Sequence, residues 1–146
     1  NKILTKNREQ FDVELLSKSG AMKGMVKSLK SNRPVGLLVD QNTKESEGIL
    51  IDFFGKKARH TPSVAILAKK FDAVIIPAFI QTHDYENYVI RFFDEIEMLN
   101  SDDKEKDIEA CVQAQADITQ KVIEEKPEEW FWLHQRWKNQ YEHLYK

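Results

Sequence analysis

Apolar residues cluster along the chain in runs that predict strands. The short apolar run from Val35 to Val39 is typical of a strand covered on both faces, as in a parallel sheet flanked by helices. A second, nearly continuous run spans residues 73–80, and residues 87–93 predict a further strand that pairs with it as an antiparallel hairpin. Because proline cannot donate to a ladder, Pro77 marks an edge, a bulge or a bend.

Other segments repeat apolar residues at helical spacing. Between Met22 and Leu29 they fall at i, i+3, i+4 and i+7, which predicts an amphipathic helix that ends before Asn32. Further helices are expected from about Pro62 to Lys70, from about Asp103 to Glu125, and from Pro127 onward. Together these elements predict an α/β fold with a mixed, mostly parallel sheet flanked by helices.

Length and composition narrow the class of protein. With 146 residues, 41% of them hydrophobic, the chain is expected to form a single α/β domain over residues 1–146. The formal net charge of −2 argues against a general nucleic-acid-binding protein, which needs a basic surface. Cys111 is the sole cysteine and is expected to pack in the core. Without a bilayer-length apolar run or a signal-peptide pattern, these residues predict a soluble domain.

Motifs of the common enzyme classes are missing from the sequence. It contains no GxGxxG, no P-loop, no CxxC pair, no HExxH and no GxSxG. The histidines are too scattered to predict a metal site, and each is expected on the surface or in a capping role: His60, His83, His134 and His143. We therefore expect neither a metal nor a cofactor.

Two features around the first predicted strand are candidate binding groups. Asp40 follows that strand directly, where α/β sheets place their ligand sites, although an acid there also suits an Asx turn or a cap. Lys56, Lys57 and Arg59 put three cations within four positions, just before a predicted helix start at Thr61 and Pro62. Such a cluster is either an anion site or a solvated basic turn.

A series of segments carries a resemblance to a known family. The segments are VGLLVDQN, GILIDFFG, TPSVAILAKKFDAVIIPAFI and PEEWFWLHQRWK. In order and spacing, from about Arg8 to Lys138, they resemble the late acyltransferases of lipid A biosynthesis, the lauroyl/myristoyl acyltransferase family of Gram-negative bacteria. The resemblance implies the C-terminal part of a glycerolphosphate-acyltransferase-like fold. It also implies transfer of a fatty acyl chain from acyl carrier protein to a hydroxyl of a lipid A precursor, in lipopolysaccharide biosynthesis.

The resemblance further implies a place of work and a set of partners. Members act at the cytoplasmic face of the inner membrane, held there by an N-terminal hydrophobic segment that this sequence lacks. The implied partners are acyl carrier protein, the lipid A precursor and the inner membrane, with no nucleic acid.

The sequence departs from the family's catalytic signature, a His followed five positions later by Asp or Glu. In this sequence the residues five positions after His60, His83 and His134 are Ala65, Tyr88 and Asn139. The chain is therefore expected to be the C-terminal portion of a longer acyltransferase, with no catalytic residue of its own and no activity alone. A general base contributes about 10² to 10⁴ in rate, which such a portion would lack.

Carried over residue by residue, the resemblance assigns roles in substrate binding. Arg8 resembles a family arginine that holds a phosphate or the thioester end of the donor, and Asp40 resembles an acid that orients substrate or a catalytic partner. The cluster of Lys56, Lys57 and Arg59 would contact precursor phosphates or the acidic acyl carrier protein. The alternative is a non-catalytic α/β module that binds a phosphorylated ligand or a protein partner.

Overall fold

The computed structural model describes residues 6–8, 10–17 and 20–146. The chain divides into two compact units, Asn1–Gly36 and Leu37–Lys146. In the first unit, helix α1 spans Ala21–Lys30, so the predicted amphipathic helix is confirmed. Its Met25 is buried, and Leu16 packs so closely over Gly24 that a Cβ there would lie 2.4 Å from a Leu16 methyl carbon. The single domain expected over residues 1–146 stays a prediction.

The second unit contains a β-hairpin whose alternation of side chains decides what is buried. Strands β1 (Ile49–Phe53) and β2 (Lys56–His60) pair antiparallel with Ile51 opposite Ala58. One face buries Ile51, Phe53, Ala58 and His60. Phe54 and Gly55 make the connection with φ of 52° and 68°, a conformation that glycine adopts without strain.

A second hairpin pairs β3 (Ala78–Thr82) with β4 (Tyr88–Phe92), which confirms the predicted antiparallel pair. Its connection is an Asx turn: the Asp84 carboxylate accepts the main-chain N–H groups of Glu86 at 2.9 Å and Asn87 at 2.7 Å. These bonds hold the pKa of Asp84 well below its usual range. Upstream of Pro77 the predicted strand reduces to one bridge between Ile75 and Ile96.

Helices α2 (Ser63–Phe71) and α3 (Lys104–Glu125) complete the core of this unit. The Asp103 carboxylate caps α3 by accepting the Lys106 N–H at 3.1 Å, at the helix start that the sequence predicts. Core residues from the β1–β2 hairpin, both helices and the bridge residue before β3 form one cluster: Ile51, Phe53, Ala58, Ala65, Ala68, Ile75, Cys111, Val112, Ala116 and Ile123. The expected core position of Cys111 is therefore confirmed.

Glutamine side chains of α3 form hydrogen bonds with backbone groups along the edge of β1 that faces away from β2. Gln113 Oε1 accepts the Asp52 N–H at 2.9 Å while Gln113 Nε2 donates to the Asp52 carbonyl at 2.9 Å. Gln120 Oε1 accepts the Phe54 N–H at 2.7 Å. A helix thus takes the place of a further strand along this edge.

Two expectations about the sheet are corrected. The predicted strand from Val35 to Val39 is not a strand, and Leu38 in it is 88% exposed. A continuous apolar run forms a central strand only where neighbours pair with it, and the described residues offer none. The mixed α/β class is confirmed, but both ladders in the described part of the chain are antiparallel rather than mostly parallel, because each closes through a short hairpin turn.

The predicted last helix is also wrong. From Pro127 onward the chain forms short 3₁₀ turns, Pro127–Glu129 and Glu142–Tyr145, joined by irregular turns. A helix would place Trp130, Leu133 and Trp137 on one face, but Trp130 and Trp137 pack on the core whereas Leu133 is 83% exposed. Side chains of this segment bond to the β1–β2 hairpin and the loop before it, which a straight helix would not allow.

Candidate functional site

The loop that carries Asp40 is held by the C-terminal part of the chain. We call residues 40–43 the Asp40 loop and residues 134–139 the C-terminal clasp. The Asn42 N–H donates to His134 Nε2 at 2.7 Å, and the Asn42 side-chain amide donates to Asn139 Oδ1 at 3.1 Å. Asn139 Nδ2 donates in turn to the Thr43 carbonyl at 2.7 Å. The loop therefore has its conformation set by residues more than 90 positions away.

Arg136 is the centre of the clasp and is only 1% exposed. Its Nη1 donates to the Gln41 carbonyl at 3.0 Å and also to the Arg59 carbonyl. Its guanidinium carbon lies 5.5 Å from the centre of the Phe53 ring, within cation–π range. Within the described part of the chain, no carboxylate lies close enough to form an ion pair with it.

The electrostatics of Arg136 connect it with Asp40. Burial lowers the pKa of Arg136 to about 10, and the negative charge of Asp40 acts in the opposite direction. At neutral pH the guanidinium therefore keeps its charge. Asp40 itself is half-buried, and its carboxylate makes no hydrogen bond among the described residues. The acid thus acts on the buried cation through its charge, and its oxygens accept no hydrogen bond from the described residues.

His60 supports the guanidinium from β2. Arg136 Nη2 lies 3.0 Å from His60 Nδ1. Because a guanidinium can only donate, His60 Nδ1 must be the acceptor, and the neutral ring carries its proton on Nε2. Burial, followed by the charge of Arg136, lowers the pKa of His60 from 6.5 to about 4. His60 is therefore a neutral acceptor at physiological pH.

The clasp also covers the aromatic core. The indole of Trp137 donates to the Phe53 carbonyl at 3.3 Å, and its ring centre lies 5.7 Å from that of Phe53. Trp130 approaches the same ring at 6.3 Å. The contacts of Trp137 fix the clasp to β1, so that Arg136 is held between the β1–β2 hairpin and the Asp40 loop.

The basic cluster lies in strand β2 rather than in a turn before a helix, and α2 begins at Ser63 with Pro62 as its N-cap. Lys57 Nζ pairs with Asp52 at 2.9 Å, and Arg59 Nη2 pairs with Glu45 at 3.0 Å. Lys56 lies on the opposite face, with its Nζ 5.1 Å from the centre of the Tyr141 ring. The alternation of the strand thus separates the cluster onto two faces.

Arg8 belongs to the first unit. It is exposed, and its carbonyl accepts the Phe11 N–H at 3.0 Å. The roles predicted for Arg8, Asp40, Lys56, Lys57 and Arg59 in substrate binding stay predictions.

A family model for bacterial lipid A biosynthesis acyltransferases matches residues 1–139. The match covers nearly the whole chain, including the Asp40 loop and the C-terminal clasp. The chain belongs to this family. No curated protein matches it. Within the described residues, no helix combines the length and the apolarity that a membrane span needs.

In this member of the acyltransferase family, sequence reasoning missed the residues that organise the loop. His60 was expected at the surface or in a capping role but is 1% exposed, and Arg136 and Asn139 were not expected to act at all. His134 accepts the Asn42 N–H of the Asp40 loop, which matches the capping role, one of the two roles predicted for it. The available signal was that the DQN and HQRWK segments both carry the family resemblance.

The arrangement limits what these acyltransferase residues can do chemically. The site offers a carboxylate that accepts no hydrogen bond from the described residues, a buried cation, and a neutral histidine whose Nδ1 already accepts a hydrogen bond from Arg136. These groups suit the orientation of a reacting partner and the support of charge.

Proposed function

We propose that this chain is the C-terminal portion of a longer enzyme that transfers a fatty acyl chain from acyl carrier protein to a hydroxyl of a lipid A precursor. The family match over residues 1–139 carries the proposal. The transfer would take place at the cytoplasmic face of the inner membrane of Gram-negative bacteria, as a step of lipopolysaccharide biosynthesis.

The catalytic base is expected outside this chain. In the reaction, a His would take the proton of the acceptor hydroxyl, and the resulting oxygen would attack the acyl thioester and release the thiol of acyl carrier protein. The His-x4-acid motif that would supply this base does not occur in the 146 residues. We therefore infer that the chain alone does not catalyse transfer.

Asp40 is the residue of this chain that we place nearest to the chemistry. It would orient the substrate or the catalytic His through carboxylate oxygens that make no hydrogen bond among the described residues. Arg8 would bind a phosphate or the thioester end of the donor. Lys56, Lys57 and Arg59 would contact precursor phosphates or acyl carrier protein, and Lys57 and Arg59 would first have to leave Asp52 and Glu45.

We further infer that the complete enzyme has a glycerolphosphate-acyltransferase-like fold. Its sheet would be enlarged by parallel strands.

The test is an acyl-transfer assay on the full-length gene product, with acyl carrier protein thioester as donor and a lipid A precursor as acceptor. We expect transfer by the wild type, loss of most activity in Asp40→Ala and Arg8→Ala, and unchanged activity in Asp117→Ala, an exposed acid on α3. Transfer by the isolated 146-residue chain would contradict its predicted inactivity.

The same assay decides between the two function classes considered for the sequence. A full-length product that transfers no acyl chain, yet binds phosphorylated ligands or a protein partner, would favour the non-catalytic module. Charge reversal at Lys56, Lys57 and Arg59 tests the basic cluster separately. Unchanged donor and acceptor KM would remove the cluster from the binding site.

A further inference from the structure

We propose that Arg136 is a positioning residue for Asp40 in the acyl-transfer site, acting together with His134 on a single peptide group. The inference rests on the proposed function and deepens it. It concerns how the site is preorganised, since Arg136 itself is too deeply buried to contact a substrate.

The peptide group that links Gln41 to Asn42 is held on both of its polar atoms. Its carbonyl oxygen accepts from Arg136 Nη1 at 3.0 Å, and its N–H donates to His134 Nε2 at 2.7 Å. The two side chains come from alternate positions of the clasp. A peptide plane bonded at both its C=O and its N–H is restrained against rotation, and it is separated from Asp40 only by the Cα atom of Gln41 and one further peptide group.

The guanidinium that holds the carbonyl is itself fixed. It donates to the Arg59 carbonyl and to His60 Nδ1, both on strand β2, and it stacks over Phe53 of β1. The planar fork of an arginine can satisfy these acceptors in one geometry, which the flexible ammonium of a lysine cannot reproduce. The β1–β2 hairpin therefore fixes the position of the Asp40 loop through Arg136.

The burial of Arg136 favours a role beyond packing. A buried cation without an ion-pair partner is costly to fold, and apolar residues of similar volume commonly replace buried charges with no loss of stability. The negative charge of Asp40 offsets part of this cost. A cation at this position is explained if it also fixes the loop that carries Asp40.

The test uses the full-length enzyme with Arg136→Lys, Asp40→Asn and the double variant, and Arg91→Lys as the matched control. Arg91 makes comparable bonds, to Gln81 at 2.8 Å and Glu125 at 2.6 Å, far along the chain from the loop. Misplacement of a reacting group by about 1 Å costs about 10²-fold in rate, so we expect kcat of Arg136→Lys to fall by about that factor. KM should change by less than about 3-fold, because substrate contacts remain.

The double variant separates positioning from a merely structural role. If Arg136 acts through Asp40, then Arg136→Lys added to Asp40→Asn costs little more than Asp40→Asn alone. The proposal is wrong if the two substitutions lower kcat by independent factors that multiply in the double variant. It is also wrong if Arg136→Lys keeps wild-type kcat or if Asp40→Asn keeps full activity. No transfer by the wild type overturns the proposed function itself.

A second variant keeps the test decisive if Arg136→Lys does not fold. His134→Phe keeps a ring at this half-buried position but removes the acceptor for the Asn42 N–H, and it leaves the buried cation untouched. We expect the same fall in kcat and the same lack of further loss when it is combined with Asp40→Asn. Wild-type kcat in His134→Phe, or multiplicative losses, would refute the positioning role.

Discussion

His134 and Arg136 hold opposite sides of one peptide group: Nε2 of the histidine accepts the Asn42 N–H at 2.7 Å, and the guanidinium donates to the Gln41 carbonyl at 3.0 Å. The two residues are two positions apart and reach across more than 90 residues of sequence. Because the segment is irregular rather than helical, both side chains can point to the same loop. The irregularity of the C-terminal segment is thus a condition for its contact with the Asp40 loop.

The first prediction concerns the stability of this contact. His134→Ala leaves the Asn42 N–H without its acceptor at a half-buried position, so the free energy of unfolding should fall by about 1–2 kcal/mol. Urea unfolding followed by tryptophan fluorescence measures the change. His143→Ala, an exposed histidine near the end of the chain, should stay within about 0.5 kcal/mol of the wild type. Equal effects of the two substitutions would show that the loop does not depend on His134.

The second prediction is a dependence of stability on pH that comes from His60. The pKa of His60 is about 4 in the folded protein, against 6.5 for an unburied histidine, so between these pH values the unfolded chain binds more protons than the folded one. Stability therefore falls as pH drops from 6.5 towards 4, by an amount that approaches about 3 kcal/mol from this group. Above pH 6.5 the contribution is constant.

The measurement for His60 compares two curves of unfolding free energy against pH. His60→Asn keeps an acceptor near the position of Nδ1 but cannot take up a proton, so its curve should be flatter between pH 6.5 and 4. Subtracting one curve from the other removes the contribution of the carboxylates to the pH dependence, because they titrate in both proteins. Parallel curves would mean that His60 is accessible to protons in the folded state.

The sequence predicted well those elements that depend on neighbouring residues. The start of α3 at the Asp103 cap and the β3–β4 hairpin follow from local turn and cap chemistry, and both were found. The strand expected at residues 35–39 was not, because a central strand exists only if distant segments supply partners. The same reason explains the failure of the predicted mostly parallel sheet.

The candidate site was predicted only in part for a related reason. Asp40 was singled out by its position after an apolar run and by the family resemblance. Arg136 was overlooked, since charged side chains are normally exposed. Its burial is decided by acceptors at Gln41, Arg59 and His60, and no spacing within the C-terminal segment reveals contacts with these residues.

The third prediction tests the edge of strand β1. Gln120→Ala removes the acceptor for the partly buried Phe54 N–H and should lower the free energy of unfolding by about 1 kcal/mol. Gln113→Ala should cost less, because Asp52 is exposed and water can replace the lost bonds. Lys121→Ala, an exposed substitution on the same helix, is the control. Urea midpoints rank the three variants, and a cost for Lys121→Ala equal to that of Gln120→Ala would contradict the assignment.

The fourth prediction uses the only thiol as a probe of the core. Cys111 is 3% exposed on the inner face of α3, and burial raises the pKa of its thiol. Both effects suppress the reactive thiolate, so a disulfide reagent such as 5,5′-dithiobis(2-nitrobenzoic acid) should react fully in denaturant and only very slowly in the native protein. The absorbance of the released thiolate follows the reaction. His134→Ala should speed native labelling only to the extent that it raises the population of unfolded chains, whereas fast labelling of the wild type would place Cys111 outside the core.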